Sequence, residues 1–232
     1  MFTFRKFTVD DRLTAMKVGT DGVLLGAWAA GGRRILDIGT GSGLIALMMA
    51  QRFPEASVTG IDIDGDACRQ ATANVMASPF AERVRIVEAS LQKFAAMAGV
   101  GPFDAVVCNP PYFQKSLKPD DARRSLARHN DSLSFRELAV CSKELLRDGG
   151  TLSVIAPMSA VEEIESEAII SGFTTRRLLA LRTRKSKPAR RFMIELVRGL
   201  ATDYSRSEEV LDEDGGQRTE WYWNLTKDFY IK

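Results

Sequence analysis

The sequence predicts an α/β protein built on a doubly wound, mostly parallel seven-stranded sheet that ends in an antiparallel hairpin. Three observations predict it. From Arg33 onward, apolar runs of strand length alternate with amphipathic runs of helix length. The first strand passes into its helix through "DIGTGSG" (Asp37 to Gly43), a turn dense in glycine. Near the C-terminus two long strand-like runs are separated only by "RKSKPA", too short for a crossover, so they must run antiparallel.

The elements follow in order. The first ~18 residues alternate like a short β-ribbon, with Phe2, Phe4 and Val9 on its apolar side. "TDGVLLGAWAA" has a Thr/Asp start and helical spacing of Val23, Leu24, Ala27 and Trp28. "RRILDIG", "SVTGIDI", "RVRIVEA" and "FDAVVCN" read as buried strands. "GLIALMMAQRF", "DACRQATANVMA" and "LQKFAAMAG" read as the helices between them. After a polar loop from Gln114 to Ser132 come a helix near "SFRELAVCSKELL" and, past Gly149-Gly150, the strand "GTLSVIAP". "SAVEEIESEAIISG" is a helix, and "FTTRRLLALRT" and "RRFMIELVRG" form the hairpin. The tail "EWYWNLTKDFYIK" is aromatic enough to pack back on the body, so Phe2, Phe4, Trp221 and Trp223 are expected in the core.

Composition narrows the chemistry. Among 232 residues, 45% are hydrophobic and 27% charged, an ordinary globular balance. Three cysteines without a Cys-x-x-Cys spacing argue against a zinc site or a disulfide framework and suit a reducing cytoplasm. His129 is the one histidine, so no metal is expected. No run of 18 apolar residues or signal peptide is seen. The net charge of +2 hides an asymmetry: nine Lys/Arg against one acid between Arg176 and Arg198, then seven acids against two arginines between Asp203 and Glu220. Two readings stand, balanced solvated faces or a basic strip for an anionic polymer.

The glycine loop suits close approach of backbone to a ligand, at the start of a helix with unpaired N–H groups. Gly39, Gly41 and Gly43 alternate, and Leu44 fills the slot where G-x-G-x-x-G needs its third glycine. That spacing counts against a dinucleotide, and no G-x-x-x-x-G-K-[ST] occurs there. The second strand ends in "GIDID", which puts Asp62 near the rim of the loop roughly 20 residues on, where it can accept both hydroxyls of a ribose. "EAS" puts Ser90 where a base edge would lie. In "CNPPYF", two prolines end a strand abruptly and leave Asn109 and Tyr112 held at its tip.

"DIGTGSG", "GIDID" and "NPPY", on successive strand ends, resemble a class I S-adenosylmethionine-dependent methyltransferase of the amino-methylating branch. The resemblance implies a Rossmann-like fold, S-adenosyl-L-methionine as cofactor, and Asp37, Gly39, Gly41, Gly43, Asp62 and Ser90 as cofactor-binding residues. Many relatives carry aspartate where Ser90 stands. "KVGTDGVLLGAW" is similar to the segment closing over the methionine end, which adds Gly19, Thr20 and Asp21. One domain results: residues 1–30 as ribbon and cofactor-closing segment, 31–200 as catalytic core, 201–232 as an extension packed on it.

An exocyclic amine is a poor nucleophile because its lone pair is delocalised. The Asn109 oxygen and the Pro110 carbonyl can grip both N–H bonds and turn the lone pair toward the methyl, while Tyr112 offers a stacking face. The motif leaves the amine open among adenine, cytosine, guanine and protein glutamine. Pro111 and Phe113 flank the target, and basic loops add Lys115, Arg124 and Arg128 after the motif and Lys187 and Arg190 in the terminal turn, suiting phosphates. Arg190 and Arg191 alternate on a strand, so one at most faces the groove. The chain leaves no room for a separate DNA-reading domain or a long N-terminal helical bundle. Nearly the whole chain, through "MKVGTDGVLLGAW", "NPPYF", "ARHNDSLSF", "SKPARRFMIELVR" and "LTKDFYIK", resembles the bacterial tRNA1(Val) (adenine(37)-N6)-methyltransferase family. That implies a tRNA anticodon stem-loop as partner, with a monomer favoured. A protein-glutamine N5-methyltransferase, a DNA adenine-N6 methyltransferase and a non-catalytic RNA-binding protein are the alternatives. His129 is assigned either to RNA or to loop packing.

Overall fold

The computed structural model describes residues 1–110 and 133–231. The chain opens with the expected antiparallel ribbon, β1 (Phe2–Thr3) against β2 (Thr8–Val9). Its buried side is Phe4, Phe7 and Val9, whereas Phe2 is 39% exposed, which corrects the predicted set. α1 (Thr20–Trp28) follows. The alternating core is β3 (Arg34–Ile38), α2 (Leu44–Arg52), β4 (Ser57–Asp62), α3 (Gly65–Met76), β5 (Val84–Glu88), α4 (Leu91–Ala95) and β6 (Phe103–Cys108). Beyond the undescribed stretch come α5 (Phe135–Leu145), β7 (Leu146–Pro157), α6 (Val161–Ile170), β8 (Phe173–Arg182), β9 (Arg191–Arg198), β10 (Ser205–Val210) and α7 (Glu220–Thr226). Caps set several starts: Asp64 accepts from the Asp66 amide, Thr219 from the Tyr222 amide, and Ser134 with Glu137 forms a reciprocal capping box on α5.

The main sheet runs β10-β8-β9-β7-β6-β3-β4-β5. Only β9 opposes the others, pairing antiparallel with both β7 and β8, so the predicted hairpin is present and its return strand is the one inserted. The sheet has eight strands rather than seven. The extra one, β10, is "SRSEEV" from the acidic segment, pairing parallel with β8. It sits at an exposed edge, so it needs no apolar alternation and left none to read. Arg182 reaches Glu208 across this pair at 3.0 Å.

Side-chain alternation divides the interior. Ile35, Ala105, Val107, Ile155 and Met193 face one core with α1 and α2, and Leu36, Val106, Leu152, Val154 and Ile194 face the other. The tail packs back on the body, with Tyr222 and Phe229 buried; of the two tryptophans expected in the core, both are half-buried and Trp221 alone lies against the first core. Between β3 and β6 the strand order reverses direction, leaving a crevice at the carboxyl ends of these strands. Among the described residues no helix is long and apolar enough to cross a membrane.

Candidate active site

Two adjoining cavities occupy that crevice, of about 450 and 310 Å³. The larger runs from the ends of β4 and β5 to the start of α5 and takes in Asp62, Ile63, Ser90, Gln92 and Glu137. The smaller lies between the glycine loop and the start of α1 and takes in Gly19, Thr20 and Asp21. Met16, Gly39, Gly41 and Asn109 line both, so they mark the junction.

The glycine loop is positioned by Asp37. Its Oδ2 accepts from the Thr40 hydroxyl at 2.6 Å and the Ala46 amide at 3.1 Å, tying strand end, loop and helix together. Gly39 and Gly41 adopt φ of +68° and +54°, and the space where their Cβ atoms would point is open, so backbone conformation is what requires glycine there. Asp37 is fully buried and lines neither cavity, and its Oδ1 has no partner among the described residues. Burial pushes its carboxyl up to about 7, against the pull of Thr40 and Ala46. Gly43, at φ +80°, caps α2 and also lines neither cavity. Both residues therefore hold the shape of the loop: Asp37 by its bonds to Thr40 and Ala46, Gly43 by starting α2.

Asp62 fits a ribose diol. Oδ2 accepts from the Gly41 amide at 2.9 Å and Oδ1 from the Asp64 amide at 3.0 Å, which fixes the carboxylate and leaves each oxygen a further lone pair. Ser90 lines the larger cavity, but its Oγ accepts from the Lys93 amide as the cap of α4. Gly19 caps α1 without a side-chain bond, and the first turn, Gly19 to Gly22, lines the smaller cavity. Asp21 is ion-paired: Arg191 Nε donates to its Oδ2 at 2.9 Å. This answers the question of the arginine pair. Arg191 opens β9 and turns to Asp21, while Arg190 precedes the strand and is exposed.

At the junction, Asn109 follows the last residue of β6. Its Oδ1 is buried and accepts no hydrogen bond from any described residue. Pro110 beside it is buried and lines the larger cavity. Cys108 also lines it, but burial pushes its thiol up, so it is no nucleophile. Pro111, Tyr112, Phe113, Lys115, Arg124, Arg128 and His129 lie outside the described residues.

Charge pairing sorts the basic strip. Arg176, Arg177, Arg182, Arg191 and Arg198 each have an acidic partner. Arg184, Lys185, Lys187 and Arg190 have none among the described residues and are exposed in the turn between β8 and β9. That turn stands at the carboxyl edge of the sheet, the edge that carries the crevice, because Leu181 and Pro157 both pair with Arg191. Sequence reasoning missed Thr14 and Met16, Gln92, Glu137 and Arg191. Gln92 stands two residues past Ser90, an amide next to an assigned binding position, and was the one signal that could have been read.

A model of the methyltransferase small domain matches residues 18–169. Curated proteins named tRNA1(Val) (adenine(37)-N6)-methyltransferase match end to end. The one from Bacteroides fragilis is 41% identical over 100% of this chain and 98% of its own length. The one from Parabacteroides distasonis is 42% identical with the same coverage. Among solved structures, a predicted O-methyltransferase from Agrobacterium tumefaciens superposes with a TM-score of 0.71 at 21% identity, covering 90% of this chain and 96% of that one. A putative RNA methyltransferase from Pyrococcus horikoshii gives 0.53 at 16%, covering 73% and 76%. These two attest the fold. S-adenosylmethionine is the cofactor, and the fixed Asp62 carboxylate, the open glycine loop and the two-lobed crevice fit its nucleoside and amino-acid ends. The chain belongs to the methyltransferase small-domain family, in the company of the tRNA1(Val) (adenine(37)-N6)-methyltransferases.

Proposed function

We propose that the protein methylates the exocyclic N6 amine of an adenine in tRNA, adenine 37 beside the anticodon of tRNA1(Val). The carrying observation is the Asn109 Oδ1: a buried acceptor with no described partner, at the junction of the two lobes. Leaving a buried acceptor unmet costs about 1–3 kcal/mol, a cost that a donor arriving with the substrate removes. The names of the end-to-end relatives supply the substrate.

Bound S-adenosylmethionine supplies an electrophilic methyl group on a sulfonium sulfur. Asn109 Oδ1 and the Pro110 carbonyl accept the two N–H bonds of the adenine amine. This would hold the nitrogen lone pair toward the methyl group that the cofactor would supply. The extra proton on nitrogen leaves to water after transfer, so no general base is required. Asp62 holds the ribose, Gly19, Thr20 and Asp21 surround the amino-acid end, and Ser90 borders the base. Tyr112 stacks on the target ring between Pro111 and Phe113. Lys187 and Arg190, with Lys115, Arg124 and Arg128, hold phosphates of the anticodon stem-loop. An anticodon-loop base is already outside a duplex, so drawing it into the crevice costs less than flipping a paired one. A tRNA-modifying role puts the enzyme in the cytoplasm.

The test is transfer of tritiated methyl from S-adenosylmethionine to unmodified tRNA, followed by nucleoside analysis. N6-methyladenosine at position 37 is expected. Label in a protein band, or in duplex DNA that competes with tRNA, overturns the reading.

A further inference from the structure

We infer that Lys17 is a positioning residue for the reaction: its ammonium is the internal cation of the loop from Asp11 to Val18 and holds Met16 at the junction of the two lobes. The inference rests on the cofactor assignment and is independent of which amine is methylated.

This loop joins β2 to α1 and belongs to neither helix nor strand, yet it walls both lobes. Thr14, Ala15 and Met16 line the larger lobe; Met16, Lys17 and Val18 line the smaller. A lysine beside the lobe for an amino-acid end invites assignment as a ligand for the carboxylate there. Its donors are spent elsewhere. Nζ donates to the carbonyls of Asp11 at 2.7 Å, Arg12 at 3.2 Å and Thr14 at 3.0 Å. An ammonium has three N–H bonds, and all three are engaged within the loop.

The remaining bonds of the loop show what the lysine adds. Asp11 Oδ2 accepts from the Val18 amide at 2.9 Å, closing the loop at its ends. The buried Asn74 side chain takes the Asp10 amide and gives to the Asp10 and Ser42 carbonyls, which ties the start of the loop to the glycine turn. The Thr14 hydroxyl reaches the carbonyls of Asp11 and Met16. None of these meets the carbonyls of Arg12 and Thr14, whose only donor among the described residues is Lys17. Three carbonyl dipoles that converge on one point repel one another unless a cation stands between them. Withdrawing the ammonium therefore loosens the stretch from Arg12 to Met16. Met16 is where that loosening reaches the chemistry. Of the residues that line both lobes it carries the one apolar side chain, beside Gly39, Gly41 and Asn109.

The test is Lys17→Ala, read by calorimetric binding of S-adenosyl-L-homocysteine and by single-turnover methyl transfer. Affinity is expected to fall by about 3- to 10-fold, the effect of one or two net hydrogen bonds rather than three because the lysine is exposed, and the transfer rate should fall with it. Methylammonium at high millimolar concentration should restore both by entering the nest of carbonyls, and tetramethylammonium, which has no N–H, should not. Lys17→Met, which keeps the stem, should behave like Lys17→Ala. Both variants should lose the same factor against S-adenosylhomocysteine lacking its carboxylate, because the lysine does not touch that group. Full affinity in Lys17→Ala, or a loss that methylammonium leaves in place, overturns the inference. A loss confined to the compound with its carboxylate would make Lys17 a ligand and overturn it as well. Failure of wild type to bind either compound would instead overturn the cofactor assignment.

Discussion

Asn109→Ala separates a catalytic acceptor from a structural residue, because the two roles predict opposite effects on stability. The side-chain oxygen is buried and makes no hydrogen bond with a described residue, so its removal breaks none among them. An unmet buried carbonyl costs about 1–3 kcal/mol; deleting it returns part of that and forfeits some packing, so unfolding free energy should stay level or rise by up to about 1 kcal/mol. Catalysis should move the other way. Losing one of two acceptors that grip the amine in the transition state corresponds to about 10²–10³ in rate. Affinity for S-adenosylhomocysteine should change less than about 3-fold, since Asp62 and the glycine loop are untouched. Single-turnover methyl transfer, calorimetric binding and urea unfolding measure the three quantities on the same protein. A variant destabilised by more than 2 kcal/mol yet slowed less than tenfold would show Asn109 to be a packing residue and remove the basis of the mechanism.

Three further outcomes follow. Folding keeps a proton on Asp37 up to about pH 7, whereas the unfolded chain releases it near 3.8, so this group's contribution to stability falls as pH rises through that window. Relative to Asp37→Asn, wild type should lose about 1.4 kcal/mol per pH unit between pH 5 and 7 in urea unfolding and run parallel above 8; parallel curves throughout would refute it. Glu195 is 1% exposed and accepts from Arg177 at 2.7 Å, with that guanidinium lying 3.8 Å from the Trp28 ring centroid. Glu195→Ala should cost about 3 kcal/mol by leaving the arginine unpaired, and Glu195→Gln distinctly less; equal losses would argue for packing alone. Lys187→Ala and Arg190→Ala should each weaken tRNA binding and lower the slope of log Kd against log salt by about 0.7–0.9, with cofactor affinity unchanged. An unaltered slope would place the RNA elsewhere.

What the sequence conveyed depended on how far a residue's role is local. The alternation of Ile35 and Leu36, of Val106 and Val107, is written into strand period, and each pair divides between the two cores. Asp62 was legible because a strand end fixes where its side chain goes, and Asn109 because two prolines do the same. Asp37 and Gly43 were placed in the right loop, where Asp37 is buried beneath the turn and Gly43 caps α2. Pattern identifies the loop but does not distinguish a residue that faces a ligand from one that braces the turn, and only burial does that. β10 escaped because an edge strand obeys no apolar rule. Arg191 escaped for a deeper reason: its partner is Asp21, 170 residues away, and no local pattern encodes a contact at that separation, nor the bond of Gln92 to Glu137, 45 residues on. The same fact explains how this crevice is assembled. The Arg191–Asp21 pair joins the start of α1 to the base of the basic turn, and the Gln92–Glu137 pair joins α4 to α5, so each lobe has one wall fixed by a long-range polar contact. A partly exposed pair contributes little to overall stability. Its effect is on geometry: each lobe has one wall bonded across a long stretch of chain, and the floor between them is glycine backbone at positive φ.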